Sequence, residues 1–218
     1  DGQPVVTAED WQERRRPEIL DLFEHHVYGR MPPRPRALRS EVRSAVDGAL
    51  EGHATRKEIR VALTGAMPGP SMDILVYLPV DRKGPVPVFL ALNFRGNQTI
   101  HADPAITLTE SWVPNNAELG IQNHRATVAS RGTASSRCPV AEIVRRGYGL
   151  ATIYCGDLDP DFDDGFQNGV HPYIPRDDSS GDAWGTIGAW AWGLSRALDV
   201  FEADPDLDAA RVIVMGHS

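Results

Sequence analysis

The sequence predicts an α/β protein, with a mostly parallel sheet and helices on both of its faces. The segments "KEIRVAL", "MDILVYLPV", "VPVFLALNF", "YGLATIY" and "RVIVM" are rich in Val, Ile and Leu and are set off by Gly and Pro, as strands are. Their pattern passes from alternating in the first to nearly continuous in the third, the change expected between a sheet edge and a strand buried on both faces. "CPVAEIVRRG" and "SGDAWGTIGAWAWGLSRALDVFEADPD" fall between the later strands with helical spacing, and helices alternating with apolar strands imply parallel pairing.

The elements follow in order. "TAEDWQERRRPEILDLFEHHVYG" reads as a helix capped by Thr7 and stopped by Gly29, with Trp11, Ile19, Leu22, Phe23 and Val27 near helical spacing and Pro17 as a point of bending. "MPPRPRA" is a stiff connector, and three strands come next. From Arg95 to Arg137 there is little periodicity, which marks a functional connection or one with short elements of its own. "PVAEIVRR" is a short helix with Pro139 in its first turn and Gly147 as its stop. The long helix opens on Asp182 as N-cap and aligns Trp184, Ile187, Ala191, Leu194, Leu198 and Phe201. Gly185, Gly188 and Gly193 weaken it unless close approach to a sheet requires them. There is no internal repeat and no low-complexity segment.

With 218 residues, 41% hydrophobic and 24% charged, the chain has the composition of a globular domain. Its 22 basic and 30 acidic side chains leave a formal charge of -8, which repels phosphate backbones and anionic headgroups. Arg14 to Arg16 sit among Glu9, Asp10, Glu13 and Glu18 as a salt-bridged face, so nucleic acid is not expected as a partner. No apolar run approaches the roughly 20 residues of a membrane span, and no membrane partner is expected. Two cysteines give no metal-site spacing.

The chemistry centres on "RVIVMGHS". A serine hydroxyl needs a base and oxyanion donors, and a tight turn after a buried strand presents it to both. Here Gly216 and His217 form the elbow and Ser218 is the candidate nucleophile, with His217 shaping the turn. "LNFRGN" ends an earlier buried strand, where Phe94 or Arg95 is the candidate for a second oxyanion amide. Asn97-Gln98-Thr99 is a glycosylation sequon, of consequence in a eukaryotic host. Asp157, Asp159, Asp161, Asp163 and Asp164 invite a calcium reading but lack EF-hand spacing, so a hydrogen-bonded loop beneath the rim is preferred. His101, His124 and His171 lie on loops near that rim, and His25, His26 and His53 carry no specific signal. Trp184, Trp190 and Trp192 invite a sugar-platform reading, but at helical spacing core packing is preferred for Trp184, and Trp190 and Trp192 cannot both share its face.

The stretches "RRPEILDLFEHHVYGRMP", "LNFRGNQT", "SRCPVAEIVRRGYGLATIYCGDLDPDFDDGFQNGVHP", "WGTIGAWAWGLSRALD" and "RVIVMGHS" resemble the glucuronoyl esterases, carbohydrate esterase family 15, in particular the bacterial branch. The resemblance implies an α/β-hydrolase fold and hydrolysis of the ester between 4-O-methyl-glucuronic acid on xylan and lignin alcohols through an acyl-enzyme on Ser218. It implies no metal or cofactor, a monomer, glucuronoxylan and lignin-carbohydrate esters as substrate, and a secreted or periplasmic location. The family's oxyanion arginine, catalytic histidine and acidic residue follow the serine, so residues 1–218 are expected to be the N-terminal part of one α/β-hydrolase domain that continues beyond them. An acetylxylan esterase-like enzyme and a non-catalytic hydrolase-fold binding module are the competing readings. Finally, Cys138 begins a helix and Cys155 ends the strand that follows it, both where the family carries aromatic residues, and a Cys138–Cys155 disulfide at the rim is expected.

Overall fold

In the computed structural model, which describes residues 2–66 and 68–216, six strands form one sheet: β1 (Arg39–Gly48), β2 (Ala54–Ala62), β3 (Ser71–Pro79), β4 (Val86–Asn93), β5 (Gly149–Tyr154) and β6 (Leu207–Met215), in the order β1-β2-β3-β5-β4-β6. The sheet is mixed. β4 is parallel to both of its neighbours, with Ala91 opposite Thr152 of β5 and Met215 of β6. The pairs β1-β2, β2-β3 and β3-β5 are antiparallel. Connection length explains the division: short turns join β1, β2 and β3, whereas β4 reaches β5, and β5 reaches β6, by crossovers that contain helices.

Five of the strands are those expected, and β1 is an addition. β2 is therefore an interior strand and not an edge, because β1 covers it. Alternation sends its side chains, and those of β3, to two different layers. Ile74, Val76 and Leu78 pack beneath the long helix α3 (Thr186–Phe201), while Leu75 and Tyr77 meet α2 (Val140–Arg145) on the opposite face.

The helix α1 spans 8–28, with a capping box between Thr7 and Asp10 and π-helical turns at Trp11–Arg15 and Glu24–Tyr28. It docks through its end. A Cβ on Gly29, whose φ is +78°, would lie 2.5 Å from the carbonyl carbon of Ala183, so only glycine permits this approach.

α3 starts later than expected, at Thr186 with Gly185 as N-cap. Asp182 instead accepts from Arg30 Nε at 2.7 Å, and its carbonyl receives the Arg30 N–H at 2.8 Å. The buried stripe is accordingly rotated to Ala189, Trp192, Gly193, Arg196, Ala197, Val200 and Phe201, which leaves Ile187 and Ala191 exposed. Gly193 is needed for close approach, although the neighbour is a loop residue and not the sheet: a Cβ there would lie 2.8 Å from Leu158 Cγ.

At the amino edge of the parallel strands, Lys57 of β2 ties the sheet to the turn after α3. Its Nζ lies 2.9 Å from Asp204 Oδ1 and 2.6 Å from Asp206 Oδ2, and Arg82 adds a second pair to Asp206 at 3.0 Å. Truncating Lys57 would leave the buried Asp204 carboxylate without a cationic partner, while Asp206 would keep Arg82. The Lys57→Ala variant is expected to lose about 2–3 kcal/mol in urea denaturation; a loss below about 0.5 kcal/mol, the range of an ordinary surface substitution, would show the network to be dispensable.

Candidate active site

The carboxyl ends of β4, β5 and β6 share one edge of the sheet, and the turn leaving β4 there is fixed by buried amides. Asn93 Nδ2 donates to Asn97 Oδ1 (2.7 Å) and Thr152 Oγ1 (3.0 Å), and Asn93 Oδ1 accepts from the Gly96 N–H at 2.8 Å. Asn97 Nδ2 donates to the Asp73 carbonyl at 2.8 Å, and Gln98 Nε2 to the Arg95 carbonyl at 2.8 Å. Gly96 has φ +102°, and a Cβ on it would lie 2.7 Å from Thr109 Cγ2. Every polar end of "NFRGNQT" that points inward is thus used, while Arg95 itself is exposed. Asn97 is only 7% exposed with its amide nitrogen committed, so the folded protein offers no glycosylation site there.

This turn and the end of β6 meet around a cavity of about 280 Å³. Asn93, Phe94, Arg95, Cys138, Met215 and Gly216 line it, together with Thr133, Ala134, Ser136 and Arg137. Its charged lining residues are Arg95 and Arg137, in a chain of net charge -8. The sequence reading did not single out Arg137, which stands in an aperiodic stretch where an arginine is usually a solvated side chain. The expected elbow residues His217 and Ser218 lie outside the described residues; Gly216 is the last before them, one residue past the Ala91–Met215 pair.

The loop histidines lie elsewhere. His101 packs against Tyr77 with ring centroids 6.4 Å apart and lines a separate cavity with His53. His124 stacks on Trp112 at 4.8 Å and holds the Val113 carbonyl through Nδ1. His171 is buried between Phe166 and Trp184, with Nε2 3.5 Å from Asp159 Oδ2.

The expected disulfide is not formed: Cys138 and Cys155 are both free and buried. They belong to different clusters, Cys138 with Ile143 and Val144, and Cys155 with Val113 and Tyr154. The reason is length. α2 has six residues and rises about 9 Å, whereas the six residues of β5 rise about 20 Å, so the strand carries Cys155 well past the level of Cys138. Burial also raises both thiols, Cys155 to about 12, which withholds the thiolate that disulfide exchange needs.

The acidic loop after β5 divides. Asp157 turns inward, where its carboxyl end receives Ser111 Oγ at 2.6 Å and the Asp73 N–H at 3.1 Å, and desolvation pushes it up to about 7. Asp161 and Asp163 remain exposed. Among the described residues no group of three or more His, Cys, Asp or Glu side chains is arranged to hold a metal ion.

No protein-family model matches the chain. Among curated proteins, carbohydrate esterase MZ0003, from an unknown prokaryotic organism, is 45% identical over 100% of this chain and 51% of its own length. The 4-O-methyl-glucuronoyl methylesterase of Schizophyllum commune is 28% identical, covering 100% of this chain and 41% of that protein. Among solved structures, a glucuronoyl esterase from Solibacter usitatus superposes with a TM-score of 0.89 at 42% identity, over 100% of this chain and 55% of that one. The chain is a homologue of the CE15 glucuronoyl esterases. It has their α/β-hydrolase fold, and it spans about half the length of the curated relatives it matches.

Gly96→Ala is expected to cost about 1–3 kcal/mol in thermal or urea denaturation, because an L-residue at that φ is strained and its Cβ meets Thr109. For Asp157 the raised pKa means that the folded state holds a proton the unfolded state has released between about pH 4 and pH 7. Its contribution to stability therefore falls as pH rises through that window. Asp157→Asn should flatten this fall in denaturation midpoints measured from pH 4 to 7.5; an unchanged slope would assign it to other groups.

Proposed function

We propose that this chain carries the nucleophile of a serine esterase that hydrolyses the ester between 4-O-methyl-glucuronic acid on xylan and lignin alcohols. The observation that carries the reading is the cavity in which the end of β6 meets Phe94 and Arg95, with arginines as its charged lining. The carbohydrate esterase and glucuronoyl esterase activities of its relatives support it.

In this reading Ser218 Oγ gives its proton to a histidine base and bonds to the uronate carbonyl carbon. A backbone amide at Phe94 or Arg95 receives the oxyanion. The carbon–oxygen bond to the alcohol breaks as the base returns the proton to that oxygen, and water then cleaves the acyl-enzyme to regenerate Ser218 and release the acid. The acid ionises at neutral pH, and Arg95 and Arg137 favour that charge. The family resemblance assigns the base, its acidic partner and a further oxyanion arginine to residues after Ser218, and none of His101, His124 and His171 lines the cavity. The reaction as written needs no cofactor. A monomer acting in a secreted or periplasmic setting fits a polymeric substrate that cells do not take up whole, and among the described residues no helix is long and apolar enough to cross a membrane.

Ser218→Ala in the intact protein is expected to lower turnover of a benzyl ester of 4-O-methyl-glucuronic acid by about 10⁴-fold or more with the fold retained. Retention of more than about a thousandth of the activity would remove Ser218 from the mechanism. Cleavage of acetyl esters with glucuronate esters untouched would establish the acetylxylan esterase reading, and binding without cleavage of either would establish a binding module.

A further inference from the structure

The same rim holds a second cleft that the esterase chemistry does not use. It encloses about 580 Å³ between the loop after β5 and the first turns of α3, and Asp161, Phe162, Asp163, Asp164, Phe166, Ile187 and Trp190 are among its lining residues. Phe162 is 42% exposed even though its ring packs on Trp112 with centroids 4.5 Å apart, and Ile187 is 56% exposed, so the cleft presents apolar surface to solvent. The cleft is tied to the candidate active site through one small core: Trp190 and Phe94 both pack on the cluster of Val113, Ile121, Tyr154 and Cys155. Trp190 is held in place by donating Nε1–H to the Asp159 carbonyl at 2.8 Å.

We propose that this cleft is a subsite for neutral sugar residues of the polysaccharide that carries the ester, an inference that rests on the esterase reading above. The chemistry of the lining selects that occupant. The cleft has three carboxylates and no cationic side chain, so it repels a uronate or phosphate. The carboxylates do not converge as a metal site. A neutral sugar satisfies both kinds of lining at once, because its C–H faces lie against aromatic rings while its hydroxyls donate to carboxylates. Asp161 is exposed and accepts from no described residue, so its oxygens are available. A lignin aryl ring, poor in hydroxyl donors, would cover the rings and leave the carboxylates unmatched.

The test compares the intact wild type with Phe162→Ala and Asp161→Ala, the second being an exposed side chain without hydrogen bonds whose loss leaves the fold in place. Xylohexaose binding is measured by calorimetry, and kcat and KM are measured on methyl 4-O-methyl-glucuronate and on the same ester borne by a xylo-oligosaccharide. Each variant is expected to weaken xylohexaose binding, and to raise KM on the oligosaccharide ester, by about five- to tenfold, with kcat on both esters and KM on the methyl ester unchanged. Unchanged oligosaccharide binding and KM in an active esterase would overturn the subsite alone. A KM rise confined to benzyl as against methyl glucuronate would also overturn it, by giving the cleft to the alcohol. A wild type that binds xylohexaose through Phe162 but cleaves neither ester would overturn the esterase reading and leave the subsite standing.

Discussion

The long connection between β4 and α2 has little regular structure, and backbone amides that leave water must find partners. The sheet supplies them through polar side chains. Arg56 pairs with Asp103, and Glu58 accepts the Thr107 N–H at 2.8 Å. Asp157 holds Ser111, and Asn93 and Asn97 close the first turn against Thr152 and the Asp73 carbonyl. Arg131 then caps the carbonyls of Asp103 and Ile106 from the far end of the same segment. The shape of the candidate site depends on this docking, because Phe94 and Arg95 at one end of the connection and Thr133, Ala134, Ser136 and Arg137 at the other converge on one cavity.

Polar docking has an architectural cost that the N-terminal strands meet. Arg56, Lys57 and Glu58 are consecutive and all buried, so β2 sends charges to both faces of the sheet. An edge strand could leave such groups in water. An interior strand needs a partner for each, and β1 on one side with Asp103, Asp204 and Thr107 around it provides that environment. The antiparallel meander is thus the frame that carries the long connection, and the parallel strands β5-β4-β6 are the frame that carries the rim.

Much of this was legible in the sequence where side-chain pattern alone decides structure. The apolar strands, the Thr7 cap and the long helix follow from periodicity and capping chemistry, and short elements within the long connection are one of the two readings its length allows. β1 was not legible, because both of its faces are largely exposed and its sequence "RSEVRSAVDG" carries no sustained alternation. β2 was misplaced at an edge because charged side chains signal solvent unless their partners, distant in sequence, are known. The disulfide failed on a difference in rise between helix and strand that becomes decisive only when both element lengths are fixed. The site divides in the same way: Phe94 and Arg95 are marked by a glycine turn at a strand end, whereas Arg137 joins them only through the fold.

The buried sequon bears on how such a protein is made. Asn97 is inaccessible once folded, yet in the secretory pathway of a yeast or filamentous fungus the oligosaccharyltransferase meets the nascent chain before the turn has closed. A glycan on Nδ2 would replace one hydrogen of the nitrogen that donates to the Asp73 carbonyl and would need room at a position only 7% exposed. Glycosylation and folding therefore compete for the same buried position, and a eukaryotic secretion host would divide its output between a native fraction bare at Asn97 and a modified fraction unable to complete the rim.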